Sequence, residues 1–145
     1  GRRIVCGRGI PPPPPLFPQT PFHSTLSMSR CVTVVHLSDT HGHHEGLAVP
    51  PGDMLIHSGD FTNNGTQAEF QAFDRWLAGL PHRHKIVVLG NHDQPTKNPN
   101  AAALLPHASH VLHHHSVEVC GLRIYGLPCD RPCPHPIPVG MDIVV

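Results

Sequence analysis

Three short apolar runs, each closing in a polar loop that contains glycine, and one amphipathic helix between the second and third predict an α/β fold. The runs are Val32 to Leu37, Met54 to His57 and Lys85 to Leu89. Their near-continuous apolar character suits strands buried on both faces of a sheet. Strand, helix, strand in that order predicts a right-handed crossover between parallel neighbours.

The helix is predicted over Thr66 to Leu80. Thr66 and Glu69 have the spacing of a capping box, which satisfies amide groups that a helix start leaves open. Phe70, Phe73, Trp76, Leu77 and Leu80 recur at helical spacing, and Gly79 and Pro81 supply the stop. This stripe reads as core and not as a cofactor contact. Downstream, Val117 to Val119 and Leu122 to Tyr125 flank Cys120 and Gly121 as the strands of a hairpin. The stretch Pro128 to Pro138 is too rich in proline for a regular element, and Met141 to Val145 begins another apolar strand.

Residues 1–30 have a different texture, with Pro11 to Pro15, four arginines and no acidic residue. Such a segment cannot pack a core and is expected to be a disordered or polyproline leader. Its acid-poor, Arg-rich composition is also that of an organelle transit peptide, while untranslated sequence upstream of Met28 is the blander reading. A proline-rich ligand for a small recognition domain is the third. Residues 31–145 are expected to belong to one domain.

The 10 Lys plus Arg against 10 Asp plus Glu leave no net field that would gather nucleic acid. No run of about 18 apolar residues marks a membrane-spanning helix. An intracellular, cytoplasmic protein is expected, with organelle targeting by the leader as the alternative. The five cysteines are an odd set without paired CxxC spacing and read as reduced thiols. Cys129, Cys133 and His135 could hold a metal, but Pro132 and Pro134 between them point to an irregular loop.

The chemistry sits in the loops that leave the three strands: Asp39-Thr40-His41, Gly59-Asp60 and Gly90-Asn91-His92-Asp93. In a parallel sheet the carboxyl ends of the strands share one edge, so residues far apart in sequence converge there. A strand-end aspartate on its own is more often a turn former or helix cap, and a lone histidine more often a surface residue. The conjunction of all three motifs, in order and each behind a buried strand, points to metal chemistry. Asp39 and His41 can turn towards one cation, Asp60 has two oxygens and can bridge two, and Asn91 offers an amide oxygen. Mixed carboxylate, imidazole and amide donors suit two divalent ions, Mn, Fe or Zn. Such a pair, about 3.5 to 4 Å apart, clamps both oxygens of an in-line displacement at phosphorus. His92 is placed to steady the phosphoryl group or protonate the leaving group, with Asp93 fixing its tautomer.

His36-Leu37-Ser38-Asp39-Thr40-His41, His57-Ser58-Gly59-Asp60-Phe61-Thr62 and Val88-Leu89-Gly90-Asn91-His92-Asp93 resemble the opening motifs of the calcineurin-like metallophosphoesterases, in particular their small metallophosphoesterase-domain branch. Leu122 to Gly126 and Pro136 to Pro138 are similar to that branch too. The resemblance implies an αββα sandwich of two sheets flanked by helices, of which residues 31–145 would be the N-terminal portion, incomplete at the C-terminus. It further implies that Asp39 and His41 bind the first metal, that Asp60 bridges, that Asn91 binds the second, and that His92 is catalytic.

The departures refine that expectation. Related protein phosphatases carry a phosphate-binding arginine shortly after the glycine-aspartate motif, whereas here Phe61-Thr62-Asn63-Asn64-Gly65 follows. A phosphodiesterase acting on a small phosphate ester is therefore expected over a phosphoprotein phosphatase, for which Arg75 and Arg123 are the remaining candidates. The later glycine-histidine and G-H-x-H ligand loops of the family are absent, so the chain reads as truncated and is expected to have little activity of its own. A catalytically inactive metal-binding protein is the rival from another class. His107, His110, His113, His114, His115 and His135 are expected to be solvent-facing loop residues.

Overall fold

The computed structural model describes residues 31–93, 100–129 and 136–145. The leader of residues 1–30 and the Cys133 and His135 members of the cysteine-histidine group lie outside them. The first sheet holds β1 (Val34–Leu37), β2 (Met54–His57), β3 (His84–Val88) and β4 (His110–Leu112), all parallel and in that order. The second holds β5 (Ser116–Val119), β6 (Leu122–Tyr125) and β7 (Ile143–Val144), with β5 antiparallel and β7 parallel to β6. Cys120 and Gly121, at φ +54 and +80, make the two-residue turn between β5 and β6, the left-handed pair that a tight hairpin demands.

The helix α1 (Gln67–Gly79) crosses from β2 to β3, and both halves of its capping box form: Thr66 accepts from the Glu69 N–H while Glu69 accepts from the Thr66 N–H. Period-two alternation then sorts the first sheet into two cores. Val35, Leu55 and Val87 point to the helix side, where Phe61, Phe70, Phe73 and Leu77 meet them. Met54, Ile56, Ile86 and Val88 point the other way, onto Val119 and Ile124 of the second sheet. Phe61 and Phe73 stack with ring centroids 4.0 Å apart. The described residues thus supply helix, sheet and sheet, three layers of the sandwich. Among them no helix is long and apolar enough to cross a membrane.

β4 departs from the sequence reading, which assigned His110 to a loop. His110 instead opens this strand and pairs with Ile86 of β3. Three residues are too few for a periodic signal, and only Leu112 among them is fully buried. Gly126 holds this strand against the second sheet, since a Cβ on it would stand 2.3 Å from the Leu112 Cβ.

Candidate metal centre

β1, β2 and β3 run parallel, so the three loops that follow them leave from one edge. The ladder continues past the strands: Asp39 N–H donates to the Gly59 carbonyl at 3.0 Å, His41 N–H to that of Asp60 at 3.0 Å, and Gly42 N–H to that of Phe61 at 2.9 Å. Asp39, His41 and Asp60 all adopt left-handed backbone, at φ +54, +41 and +54. That region costs a residue with a Cβ on the order of 1 kcal/mol, and Asp and His are among those that tolerate it best. The two glycines of the later motifs let the loops touch. A Cβ on Gly59 would stand 2.6 Å from Gly90 N, and one on Gly90 would stand 2.1 Å from Asp60 Oδ1.

Asp39, His41 and Asp60 each offer a ligand atom within 4.8 Å of the others. Two ligands opposite each other on an ion with bonds of about 2.1 Å lie about 4.2 Å apart, so the trio fits a divalent cation after a small contraction. The tautomer of His41 fits as well. Its Nδ1 lies 3.1 Å from the Thr62 carbonyl, which can only accept, so Nδ1 carries the hydrogen and Nε2 is left for a metal. His92 is held alike by the next carbonyl, with Nδ1 donating to Asn63 O at 2.7 Å. The His41 and His92 rings meet edge to face, centroids 4.9 Å apart. Asn91 is exposed at the start of the same loop as His92.

Asp93 corrects the sequence reading: it does not hold the His92 ring. Its carboxylate is fully buried and accepts from the N–H of Asp60 at 2.6 Å, of Thr62 at 2.9 Å and of Gly90 at 3.0 Å, and from the Thr62 hydroxyl at 2.7 Å. Burial pushes the Asp93 carboxyl above the ordinary carboxylate range, and these donated bonds hold back part of that rise. Asp93 therefore fastens the Gly90 loop to the Asp60 loop. Asp60 answers by accepting from the His92 N–H through Oδ1 at 2.8 Å.

Sequence reasoning passed over two other residues at this edge. His57, fully buried at the end of β2, accepts from the Gly59 N–H through Nδ1 at 3.3 Å, so its Nε2 carries the hydrogen and meets the Thr40 hydroxyl at 3.1 Å. It braces the first motif loop against the second. Desolvation, aided by neighbouring His44 and His36, lowers its pKa to about 4. Asn63 also donates from its side chain to the His41 carbonyl at 3.0 Å. The Thr66 and Glu69 spacing was the one sequence signal near Asn63, and it spoke only of a helix start.

Of the other downstream histidines, His107 and His113 are exposed outside the strands and His114 is half-buried in the same stretch after β4, in keeping with their reading as loop residues. His107 binds the buried Asp74 of α1 through its N–H at 2.9 Å and its Nδ1 at 2.8 Å. His113 and His114 follow β4, whose carboxyl end lies on the same sheet edge as the motif loops. Of the two arginines, Arg123 lies 3.8 Å from Asp142, and Arg75 sits on α1 in a cleft with Gln71, Asp74 and Leu104. Cys31, Cys120 and Cys129 are free and exposed.

Residues 32–122 match the calcineurin-like phosphoesterase family, a span that contains all three motif loops. The chain belongs to that family. It is 32% identical over 150 residues to human metallophosphoesterase domain-containing protein 1, covering 86% of this chain and 45% of that protein. It is 37% identical over 144 residues to the Caenorhabditis elegans protein described as UPF0046 protein C25E10.12, covering 86% of this chain and 49% of that one. The chain thus spans about half the length of the curated relatives it matches. A solved protein of unknown function from Aquifex aeolicus aligns over 65% of this chain and 59% of its own at 24% identity and a TM-score of 0.36, too distant to bear on the fold. In this calcineurin-like phosphoesterase the loop directly after Asp60 offers Asn63 and Asn64 but no arginine.

Proposed function

We propose that the protein to which this chain belongs hydrolyses small phosphodiesters with two divalent ions, Mn, Fe or Zn, held at the carboxyl edge of the first sheet. One observation carries the reading: two carboxylates and an imidazole, Asp39, His41 and Asp60, with ligand atoms within 4.8 Å of one another, beside a second imidazole of fixed tautomer. Asp39 and His41 are assigned to the first ion, Asp60 to both, and Asn91 to the second. When bound, the ions supply a Lewis acid and a water of lowered pKa. His92, with Nδ1 committed to Asn63, has Nε2 available to pass a proton to the leaving oxygen.

A diester is favoured because no arginine lies in the loop directly after Asp60 to grip the extra charge of a monoester, and Arg123 is engaged with Asp142. The chain itself is expected to hold at most one ion tightly and to turn over little, since this assignment gives the first ion the Asp39, His41 and Asp60 group and leaves the second only Asp60 and Asn91 among the described residues.

The test compares bis(p-nitrophenyl) phosphate with p-nitrophenyl phosphate as substrates of the whole protein, before and after chelation. Turnover of the diester that is lost with chelator and restored by Mn²⁺ supports the reading. Turnover that survives exhaustive chelation, or a clear preference for the monoester, refutes it. Tight Mn²⁺ binding without turnover would favour the inactive metal-binding protein.

A further inference from the structure

We propose that Glu69, the capping residue of α1, is also a positioning residue for the metal centre. The inference rests on reading Asp39, His41 and Asp60 as metal ligands.

A capping box asks a glutamate to reach back to the first residue of its own cap and no farther. Glu69 does this with one oxygen: Oε2 accepts from the Thr66 N–H at 2.9 Å and from the Thr66 hydroxyl at 2.7 Å. Its other oxygen does something a helix start does not need. Oε1 accepts from the N–H of Asn63 at 3.0 Å and of Asn64 at 3.2 Å, in the loop ahead of the cap. One carboxylate is thus shared between helix and loop.

That loop holds both imidazoles. The Thr62 carbonyl takes the His41 Nδ1 hydrogen at 3.1 Å and the Asn63 carbonyl takes that of His92 at 2.7 Å. The Asn63 side chain adds a bond to the His41 carbonyl at 3.0 Å. For two neighbouring carbonyls to meet two rings from different loops, the peptide planes between them must be fixed. Asp93 fixes the Thr62 side, through its N–H and hydroxyl. Glu69 fixes the other side, through the next two amides. Remove Glu69 and the planes at Asn63 and Asn64 can tilt towards water. Both rings then lose a partner set at a defined angle, and with it the preference for Nδ1–H that leaves the His41 Nε2 for an ion and the His92 Nε2 for proton transfer. Partners of this kind, once removed, lower metal affinity by about 10- to 100-fold in other sites. Glu69 is partly exposed and water can replace some of its bonds, so the low end is expected here.

The experiment separates this role from the helix cap. Thr66→Ala removes the cap hydroxyl but leaves Oε1 and its loop amides in place, whereas Glu69→Ala removes both the oxygen that serves the cap and the oxygen that serves the loop. The metal-free chain is examined by ¹⁵N NMR for the ring tautomers of His41 and His92, and Mn²⁺ affinity is measured from the free-ion EPR signal. Urea unfolding reports the helix cap independently.

Both variants should lower the urea midpoint. Only Glu69→Ala should weaken Mn²⁺ binding about tenfold and mix the ring tautomers. Should Glu69→Ala fail to fold, Glu69→Gln, with one oxygen to divide between helix and loop, carries the test with an intermediate loss. Wild-type affinity and tautomers in the Glu69 variant overturn the proposal, as does an equal loss in Thr66→Ala. A wild-type chain that binds no Mn²⁺ overturns the metal-centre reading as well, whatever the rings do.

Discussion

Gly90 lies against Asp60 with no room for a side chain, because a Cβ on Gly90 would stand 2.1 Å from Asp60 Oδ1 and 2.6 Å from Asp60 N. The glycine of the third motif therefore shapes the ligand of the second. Gly90→Ala is expected to displace the Asp60 carboxylate and to lower Mn²⁺ affinity at least about tenfold, by analogy with lost support around other metal ligands. Titration of the variant with Mn²⁺ checks this, and wild-type affinity would show that Asp60 moves without consequence.

Asp93 accepts from three backbone N–H groups and one hydroxyl while fully buried. Asp93→Ala leaves all of these donors without their partner. At about 1 to 3 kcal/mol for a buried donor left unsatisfied, a loss of about 3 kcal/mol or more is expected in urea unfolding. Asp93→Asn should also destabilise, since on either side its NH₂ would face a backbone N–H, which can only donate. A variant as stable as the parent would mean that water fills the gap.

His57 gives the fold a pH dependence whose sign is fixed by its burial. Its folded pKa is lowered to about 4, against 6.5 for an ordinary histidine. Above pH 6.5 neither state is protonated there and His57 contributes no slope. Between 6.5 and 4 the unfolded chain takes up a proton that the folded chain refuses, so stability falls as the pH falls, by about 3 kcal/mol at most. Urea unfolding of metal-free wild type and His57→Asn at pH 7 and pH 5 reads this out. Only the wild type should carry this part of the slope, and parallel losses would assign it elsewhere.

Metal should stabilise the chain in proportion to its occupancy. At Mn²⁺ one hundred times its dissociation constant, mass action raises stability by about 2.7 kcal/mol, and chelation removes the gain. Asp60→Ala should abolish this shift more completely than Asn91→Ala, because the charged Asp60 carboxylate is assigned to both ions and the neutral Asn91 amide only to the second. Thermal melts with and without Mn²⁺ decide it, and equal residual shifts would refute the bridging role.

The strands that bear the motifs, α1 with its cap and the β5–β6 hairpin were legible because each is long enough to show a period or carries a residue of special backbone preference. β4 was not, because three residues that open on a histidine and run into three more show no period, and its place is set by contacts with β3 and Gly126. At the site, the sequence displays which side chains gather at the edge, since parallel strands fix that much. It is silent on what orients them. Thr62 and Asn63 act through backbone carbonyls, which every residue possesses, and His57 acts from inside a strand whose buried neighbours disguise it as filler. The assignment of Asp93 to His92 failed for the same reason: adjacency in sequence suggested a partner that the turn at Gly90 directs elsewhere.

The left-handed backbone at Asp39, His41 and Asp60 leaves a trace that outlasts any single assay. A population of this protein selected for stability alone would drift at these positions towards glycine, which occupies that region without strain. Each such step would make the loop easier to fold and would discard a ligand. Retention of all three under selection for metal binding, with drift under selection for stability alone, is therefore the expected mark of an ion. A library screened in parallel for thermal tolerance and for Mn²⁺ retention should split at these three positions and agree across the core.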